Sequence, residues 1–283
     1  DSSGYPVLHF HPQPASRLFV HPNITEILQE KGIRLFILER PGIGLSDPWP
    51  FASRSTLDWA KDVVQFVKIK ELGKVSIIGH SAGCPHALAA AFALGDNASS
   101  LSLMGPIIFK SSLSEHDASH PGVTEFNPTA GMLESSQPMY SFGESGSHWI
   151  NKLVLNVFAP LLTSKIDLSY AEIKEIEAEK RIFDDNAWEA IFHDSVAECY
   201  RQGVSGMAQD LEACASPFNF SLSEIKIPVR IFVGSADKFT PPAHAKLVHQ
   251  LIGHSKLDVI PGYGHWSLFS HYYPEILDSI SRQ

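Results

Sequence analysis

The stretch from Val75 to Gly83, VSIIGHSAG, limits most strongly what this chain can fold into. A β-branched apolar run ends at Gly79, and an alanine-rich run typical of a helix follows Gly83. Ser81 is therefore predicted on a sharp turn between a strand and a helix, where small neighbours avoid a steric clash. Such a turn exposes the serine hydroxyl beside the free N–H groups of the helix N-terminus. The pattern favours a nucleophile at Ser81 over an ordinary turn serine.

The rest of the chain alternates short apolar runs with helix-length segments, which is typical of a buried parallel sheet. Strands are predicted at Val7–Phe10, Arg34–Leu38, Val75–Ile78, Leu101–Met104, Val229–Val233 and Lys256–Ile260. Helices are predicted at Thr25–Lys31, Leu57–Leu72, Ala82–Leu94, Pro242–Leu251 and Pro274–Ser281. Right-handed crossovers join such strands into an α/β fold with a mostly parallel, doubly wound sheet, which binds ligands at the carboxyl ends of its strands.

The alternation stops between about residues 110 and 225, where no strand of comparable quality is predicted. Helices are predicted there, after a Gly/Ser/Pro-rich stretch from Ser111 to Ser147, at Trp149–Leu162, Leu168–Phe183 and Asn186–Cys214. We therefore predict a core domain of residues 1–109 and 226–283, interrupted by a helical cap of residues 110–225. The charged residues predicted to form a solvated helix face of this cap are Glu172, Lys174, Glu175, Glu177, Glu179 and Lys180.

A serine hydroxyl is a poor nucleophile and needs an adjacent base. His265 lies in a glycine-rich loop just after the last predicted strand, and Asp237 lies in the loop after the strand at Val229–Val233. Both loops are expected to leave the sheet at the edge where Ser81 lies. The chain order of serine, aspartate and histidine is one of the known orders of a catalytic triad. The plainer interpretations are a structural loop histidine and a turn-forming aspartate.

Two further segments carry a family resemblance. Residues 7–17, VLHFHPQPASR, resemble the oxyanion segment of α/β-hydrolase fold proteins, usually His-Gly-x-Pro. Residues 39–47, ERPGIGLSD, resemble the Asp-Arg-Pro-Gly-x-Gly-x-Ser loop of the same family, and residues 201–220 resemble an uncharacterised subgroup of it. The similarity runs along nearly the whole chain. It implies a serine hydrolase of the α/β-hydrolase fold with a helical cap, in which the residues at the turn and in the two later loops form a catalytic triad.

The resemblance also implies an oxyanion hole, in which the backbone N–H groups of Gln13 and Ala82 hold the developing negative charge. Pro12 stands where the family has glycine, so a flexible backbone position is lost while the N–H of Gln13 remains. His11 is interpreted as the residue that supports this loop. Family members usually open with two further strands, whereas the first convincing strand here begins at Pro6, and we therefore expect the natural chain to be longer.

The mechanism implied is acyl transfer through an acyl-enzyme, with water as the second substrate and no cofactor. Ile107 and Ile108, just after a strand end, and Trp266, beside the base, are the candidate substrate contacts. The cap also contains aromatic residues that suggest either a largely apolar pocket or a core of the cap itself: Trp149, Phe158, Trp188 and Phe192. The default substrate is a small or medium, largely apolar carboxylic ester.

Composition and spacing disfavour several other classes of protein. The net charge is −9 and no long Lys/Arg run occurs, so a nucleic-acid partner is not expected. No apolar stretch approaches about 18 residues, so no membrane span is predicted. Three scattered cysteines, Cys84, Cys199 and Cys214, favour a reducing compartment, and hence the cytoplasm, over a disulfide framework. His9 and His11 lie two apart on a strand, but spacing supplies no further ligands, and no metal is predicted.

Alternatives from other classes stay open. A serine at the turn argues against an epoxide hydrolase or a dehalogenase, which use a carboxylate there. The same fold also hosts lyases, peroxidase-like enzymes, carbon–carbon bond hydrolases and ligand-binding receptors that retain a triad. His80, beside the serine, is interpreted as packing under the turn, and Glu39 as pairing with the local backbone or with Arg40. The sequence gives no indication of the oligomeric state.

Overall fold

A parallel sheet forms the centre of the computed structural model, which describes residues 3–51, 54–145, 148–163, 173–184 and 187–281. The strands are β1 (Tyr5–Phe10), β2 (Ile33–Ile37), β3 (Val75–His80), β4 (Ala98–Met104), β5 (Val229–Gly234) and β6 (Lys256–Ile260). They pair in the order β2-β1-β3-β4-β5-β6, and every neighbouring pair is parallel. The predicted α/β class with a doubly wound sheet is confirmed.

Helices cover the sheet and occupy the segment between β4 and β5, here called the β4–β5 segment (residues 105–228). The helices are α1 (Ile24–Lys31), α2 (Thr56–Ile69), α3 (Gly83–Leu94), α4 (Glu115–Ala118), α5 (Pro121–Glu125), α6 (Gln137–Ser145), α7 (His148–Thr163), α8 (Ala187–Cys199), α9 (Ser205–Ala215), α10 (Pro242–Leu251) and α11 (His265–Ser281). Helices α4 to α9 lie in the β4–β5 segment, which also contains a 3-10 helix at Glu177–Asp184.

The predicted bounds of the last helix are wrong. A helix was expected to begin at Pro274, but α11 begins at His265 and contains Pro274 in its interior. Proline inside a helix costs about 3 kcal/mol because it lacks an N–H and crowds the preceding turn. The apolar face of α11 offsets this cost, since Phe269 and Tyr273 are among the largest fully buried side chains. Burial of such side chains contributes about 1.5–3 kcal/mol each.

The β4–β5 segment also departs from the predicted helices. Three helices, α4 to α6, lie in the stretch Ser111–Ser147, for which no helix was predicted. The single helix predicted at Asn186–Cys214 is two helices, α8 and α9, separated by a turn in which Gly203 has a φ of 88°. Asn186 and the first part of the predicted helix Leu168–Phe183 lie outside the described residues. Within the described residues of this segment, no strand is present.

Two apolar clusters lie on the two faces of the sheet. Neighbouring residues of a strand point to opposite faces, so Leu8 joins the cluster with α2, α3 and α10, whereas Val7 joins the cluster with α1 and α11. The second cluster also contains Trp188 and Phe192 from α8. The β4–β5 segment therefore shares a core with the sheet. The division of the chain at residues 110 and 225 stays a prediction.

The three cysteines are free thiols in the structure. Cys84, Cys199 and Cys214 are free and buried, and burial raises the pKa of the Cys199 thiol to about 12. They are therefore poor nucleophiles, because the thiolate is the reactive form.

Among the helices of the described ranges, none combines the length and apolar character that a bilayer crossing needs.

Candidate active site

Ser81 occupies the sharp turn between β3 and α3 with a left-handed backbone, at a φ of 54°. Its N–H donates to the Met104 carbonyl at 2.9 Å, which ties the turn to β4. A side chain at Gly83 would place its Cβ 2.1 Å from the carbonyl oxygen of Phe10, so only glycine fits there. The turn thus holds Ser81 at the carboxyl end of a central strand. A left-handed backbone at a residue other than glycine costs about 1–2 kcal/mol, and such strain is typical of functional turns.

His265 and Asp237 arrive on separate loops and meet beside this turn. His265 Nδ1 lies 2.7 Å from Asp237 Oδ2, and both side chains are almost fully buried. Burial disfavours the imidazolium, but the charge of Asp237 and its hydrogen bond outweigh burial, so the pKa of His265 is raised. An Nδ1–H held by a carboxylate leaves Nε2 free to accept a proton. His265 and Ser81 line the same cavity.

Thr240 completes the surroundings of the histidine and was not singled out from the sequence. Its hydroxyl lies 2.9 Å from the Gly105 carbonyl, 3.1 Å from Asp237 Oδ2 and 3.0 Å from His265 Nδ1. Asp237 Oδ1 accepts the N–H of Thr240 at 2.8 Å, so the aspartate also closes its own turn. Aspartate followed by threonine three residues later is the sequence signal for such a turn. Thr240 therefore holds the Asp237 carboxylate and the His265 ring in their relative positions.

Gly105, the first residue after β4, leaves the space in which the histidine and the aspartate meet. Its φ is 47°, and a Cβ there would lie 2.9 Å from His265 Nδ1 and 3.1 Å from Asp237 Oδ2. On the acyl-transfer mechanism that the sequence resemblance implies, we expect Gly105→Ala to lower kcat/KM on an activated ester about 100-fold, because displacing a group that takes part in the reaction by about 1 Å has effects of that size. The measurement is steady-state kinetics beside a thermal melt.

Gly73→Ala is the matched control. Gly73 has a φ of 67°, and a Cβ there would meet no atom within 4 Å. Both variants therefore carry the same kind of backbone strain, but only Gly105→Ala crowds the site. Equal kinetic losses in the two variants would contradict the prediction.

The loop with the predicted oxyanion donor is held by buried groups beneath it. Gln13 and Ala82 both line the cavity that contains Ser81. Arg40 Nη1 donates to the His11 carbonyl at 2.9 Å, and His11 Nδ1 lies 2.9 Å from the Pro12 carbonyl. Pro12 therefore lies in a loop in which the carbonyl groups of His11 and Pro12 are both hydrogen-bonded to buried side chains.

Asp210, on α9, binds this loop from the β4–β5 segment. Its Oδ2 accepts from Arg40 Nε at 2.7 Å and from the side-chain amide of Gln13. Its Oδ1 accepts from Arg54 Nη2 at 2.7 Å and lies 3.0 Å from His86 Nε2. The side chains of the two arginines, the histidine and the aspartate are fully buried. In the sequence, the run that contains Asp210 carries only a family resemblance, since nothing local shows its partners.

The surroundings of Asp210 also contain a possible set of metal ligands. His86, Asp210 and Cys214 bring ligand atoms within 4.8 Å of one another, all buried. Two guanidinium groups already bind the Asp210 carboxylate, and they would repel a divalent cation. Nδ1 of His9 and of His11 each has a hydrogen-bond partner in the fold, whereas Nε2 of each has none. Within the described residues, no third ligand atom joins these two histidines in a cluster that could hold a metal.

A cavity of about 390 Å³ adjoins the serine and the histidine. Its walls come from the sheet edge and from the helices of the β4–β5 segment, and most of the side chains are apolar. The wall includes Ile107, Phe109, Met132, Phe142, Leu211 and Phe239. Its volume suits a small or medium ligand.

Two of the three predicted substrate contacts line this cavity, and the third does not. Ile107 and Trp266 line the cavity. Ile108 does not, because it is fully buried in the core and its N–H donates to His244 Nδ1 at 3.2 Å. Neighbouring residues of an extended segment point in opposite directions, which separates Ile107 from Ile108.

The aromatic residues of the predicted cap also divide. Phe192 lines the cavity, and it packs edge-on against Trp266 with ring centroids 5.1 Å apart. Trp188 is buried in the core cluster instead. Trp149 is 67% exposed, and the side chain of Phe158 lies outside the described part of the chain. Phe192 therefore belongs to both the cavity wall and a core cluster, and the core that Trp188 joins is shared with the sheet.

The contacts of His80 and Glu39 are those of residues that support the fold. His80 stacks on Phe269 with ring centroids 5.0 Å apart, and burial holds its pKa well below the usual value. Glu39 accepts the N–H of Leu45 at 2.9 Å and pairs with Arg17 at 2.8 Å. The expected backbone partner of Glu39 is present, whereas pairing with Arg40 is wrong because Arg40 binds Asp210.

Residues 5–272 match the family described as the alpha/beta hydrolase fold. The chain belongs to this family. The family resemblance carried by the turn, the two later loops and the two N-terminal segments is thus confirmed. Comparison with curated protein sequences gave no match.

Solved structures with the same fold are distant in sequence. A bromoperoxidase from Bacillus anthracis superposes with a TM-score of 0.69 and is 22% identical, over 98% of this chain and 90% of that one. An esterase from Exiguobacterium antarcticum has a TM-score of 0.67 and 20% identity, over 99% and 93%. A meta-cleavage product hydrolase has a TM-score of 0.61 and 16% identity, over 99% and 90%. At these identities the similarity establishes the fold.

Proposed function

We propose that this protein is a serine hydrolase that cleaves a small or medium, largely apolar carboxylic ester through an acyl-enzyme. The observation that supports this best is His265, which lies 2.7 Å from Asp237 and shares one apolar cavity with Ser81. An esterase among the structural neighbours is consistent with this reaction class. No cofactor is required for it, and water is the second substrate.

In the proposed mechanism, Ser81 Oγ attacks the ester carbonyl while His265 Nε2 accepts its proton. Asp237 holds the Nδ1–H and stabilises the imidazolium that forms. The N–H groups of Gln13 and Ala82 bind the oxyanion, a contribution of about 3 kcal/mol for each donor. His265 then gives the proton to the leaving alcohol. Water attacks the acyl-enzyme with the same assistance, which releases the acid and restores the serine.

The test is a series of p-nitrophenyl esters from acetate to dodecanoate. We expect kcat/KM to rise about fourfold for each added CH₂ while the acyl chain fits, because each buried CH₂ contributes about 0.8 kcal/mol. It should then fall for the longest chains, since the cavity holds only about 390 Å³. Ile107→Phe adds bulk to the cavity wall and reduces the cavity volume. It should therefore move the acyl-chain length with the highest kcat/KM to a shorter ester.

The outcomes separate the proposal from its alternatives. Multiple turnovers on the short and medium esters support an ester hydrolase. No turnover by folded protein, together with no labelling of Ser81 by a fluorophosphonate, contradicts the proposal. Labelling of Ser81 without turnover contradicts ester hydrolysis and favours a receptor or a different reaction on the same serine.

A further inference from the structure

Glu179, in the 3-10 helix of the β4–β5 segment, lies beneath the catalytic histidine instead of facing solvent. The sequence predicted it on a solvated helix face, which is wrong, because Glu179 is only 1% exposed. Its carboxylate accepts backbone N–H groups from His265 at 2.5 Å, from Trp266 at 3.1 Å and from Ser267 at 2.7 Å. These are the first N–H groups of α11, which begins at His265. Of the other residues on that predicted face, Glu172 lies outside the described residues.

A helix N-terminus has N–H groups without partners inside the helix and carries a partial positive charge. The usual partner is the side chain of the residue just before the helix, but here that residue is Gly264. A Cβ at Gly264 would lie 2.3 Å from Glu179 Oε1, so the glycine leaves room for a carboxylate from elsewhere in the chain. The β4–β5 segment therefore supplies the N-terminal cap of the helix that carries the histidine.

Among the described residues, the charged and titratable groups that act on the imidazole or lie against it are Asp237, Glu179 and His80. Asp237 binds Nδ1, and the ring of His80 lies 5.3 Å away with its own pKa held well below the usual value by burial. Burial lowers the pKa of His265, Asp237 raises it, and the charge of Glu179 raises it further. Burial, with the nearby Asp237, raises the pKa of Glu179 itself, while the N–H groups that it accepts act in the opposite direction.

We propose that Glu179 is a positioning residue for His265, which fixes the first turn of α11 and stabilises the imidazolium formed when Ser81 loses its proton. This inference rests on the proposed serine hydrolase function. Both carboxylate oxygens face N–H donors, so the ionised form of Glu179 is the one that the helix binds. The β4–β5 segment thereby contributes a second carboxylate to the environment of the base.

The test is Glu179→Gln with Glu177→Gln as matched control. Glu177 lies two residues away in the same 3-10 helix, but its side chain is 87% exposed and pairs with exposed Lys180. Loss of the charge at position 179 makes the imidazolium less favourable, so the pKa of His265 falls. Since catalysis needs the neutral imidazole, the acidic limb of the kcat/KM profile should move to lower pH. At the foot of that limb, Glu179→Gln should retain an about three- to tenfold larger fraction of its plateau rate than wild type.

An NMR titration of the His265 ring gives a second measurement that needs no substrate. We expect the ring to titrate at lower pH in Glu179→Gln and at the wild-type pH in Glu177→Gln. An unchanged titration and an unchanged acidic limb in Glu179→Gln, even with reduced activity, would overturn the proposal and leave Glu179 a structural residue. Failure of the wild type to turn over any ester would instead overturn the proposed function, because the titration tests Glu179 independently.

Glu179→Asp covers the case in which the glutamine variant does not fold. It keeps the charge but withdraws the carboxylate by one CH₂ from the N–H groups of α11. We expect an about three- to tenfold lower kcat with an acidic limb close to that of wild type. Kinetics identical to wild type would show that the position of the carboxylate is unimportant and would contradict the proposal.

Discussion

Ser81→Ala is expected to lower kcat for ester hydrolysis by about 10⁴- to 10⁶-fold, while the protein stays folded. Removal of the nucleophile leaves only binding and the oxyanion donors, which is why knock-outs of a triad serine have effects of this size. The substitution removes one hydroxyl and adds no atom that neighbouring side chains would have to accommodate. An alanine at this position keeps the left-handed backbone of the turn, whose φ is 54° in the native chain. The measurement is kcat and KM on the best ester of the series.

Ser136→Ala is the control for this experiment, because Ser136 is a second serine that lines the same cavity. Its kcat should remain within about threefold of wild type, since no step of the proposed mechanism uses the Ser136 hydroxyl. If Ser81→Ala retained most of the activity, the nucleophile would have to be another group. If both serine variants lost activity equally, the loss would not be specific to Ser81 and the prediction would be contradicted.

Asp210→Asn is expected to lower the free energy of unfolding by about 3–5 kcal/mol. Burial alone would raise the pKa of Asp210, but Arg40, His86 and Arg54 hold it well below its usual range. An amide in its place leaves two buried guanidinium groups without a counter-ion, and uncompensated buried charge is among the costliest changes in a protein. Activity should fall as well, because the same carboxylate binds the side chain of Gln13. The measurement is urea unfolding at neutral pH.

Asp258→Asn is the matched control, since Asp258 pairs with Arg230 at 2.8 Å on the surface and both side chains are more than a third exposed. Solvent screens such a pair, and the loss should be at most about 1 kcal/mol. A similar loss of stability in the two variants would show that the buried network has no special role. Because the pKa of Asp210 is depressed, its contribution is complete at neutral pH and is lost only as pH falls through that depressed pKa.

The sequence was most informative where a local pattern and its chemistry coincide. Gly79 and Gly83 around Ser81 predicted the turn, because a sharp strand–helix turn excludes side chains at both places. The loops with Asp237 and His265 could be placed because parallel strands end at one edge of the sheet. In the structure His265 and Asp237 are hydrogen-bonded, and Ser81 lines the same cavity as His265. Their catalytic roles stay a proposal.

Local patterns failed where a residue acts on a distant partner. Glu179 stands among charged neighbours whose composition is typical of a solvated face, and only the folded chain shows that its carboxylate lies under α11, 86 residues away along the chain from His265. Asp210 is separated by 170 residues from Arg40. Pairing energy between such groups depends on burial and on geometry, neither of which a single sequence contains.

The sequence by itself determined the parallel sheet, the serine turn and the family, because each follows from short-range constraints on backbone and side-chain size. Tertiary structure alone decided which polar residues of the β4–β5 segment are buried, where its helices break, and which neighbours of β4 face the cavity. The physical reason is that burial is a property of the whole packed chain: Ile107 lines the cavity and Ile108 is enclosed in the core, although the two residues are adjacent and chemically identical.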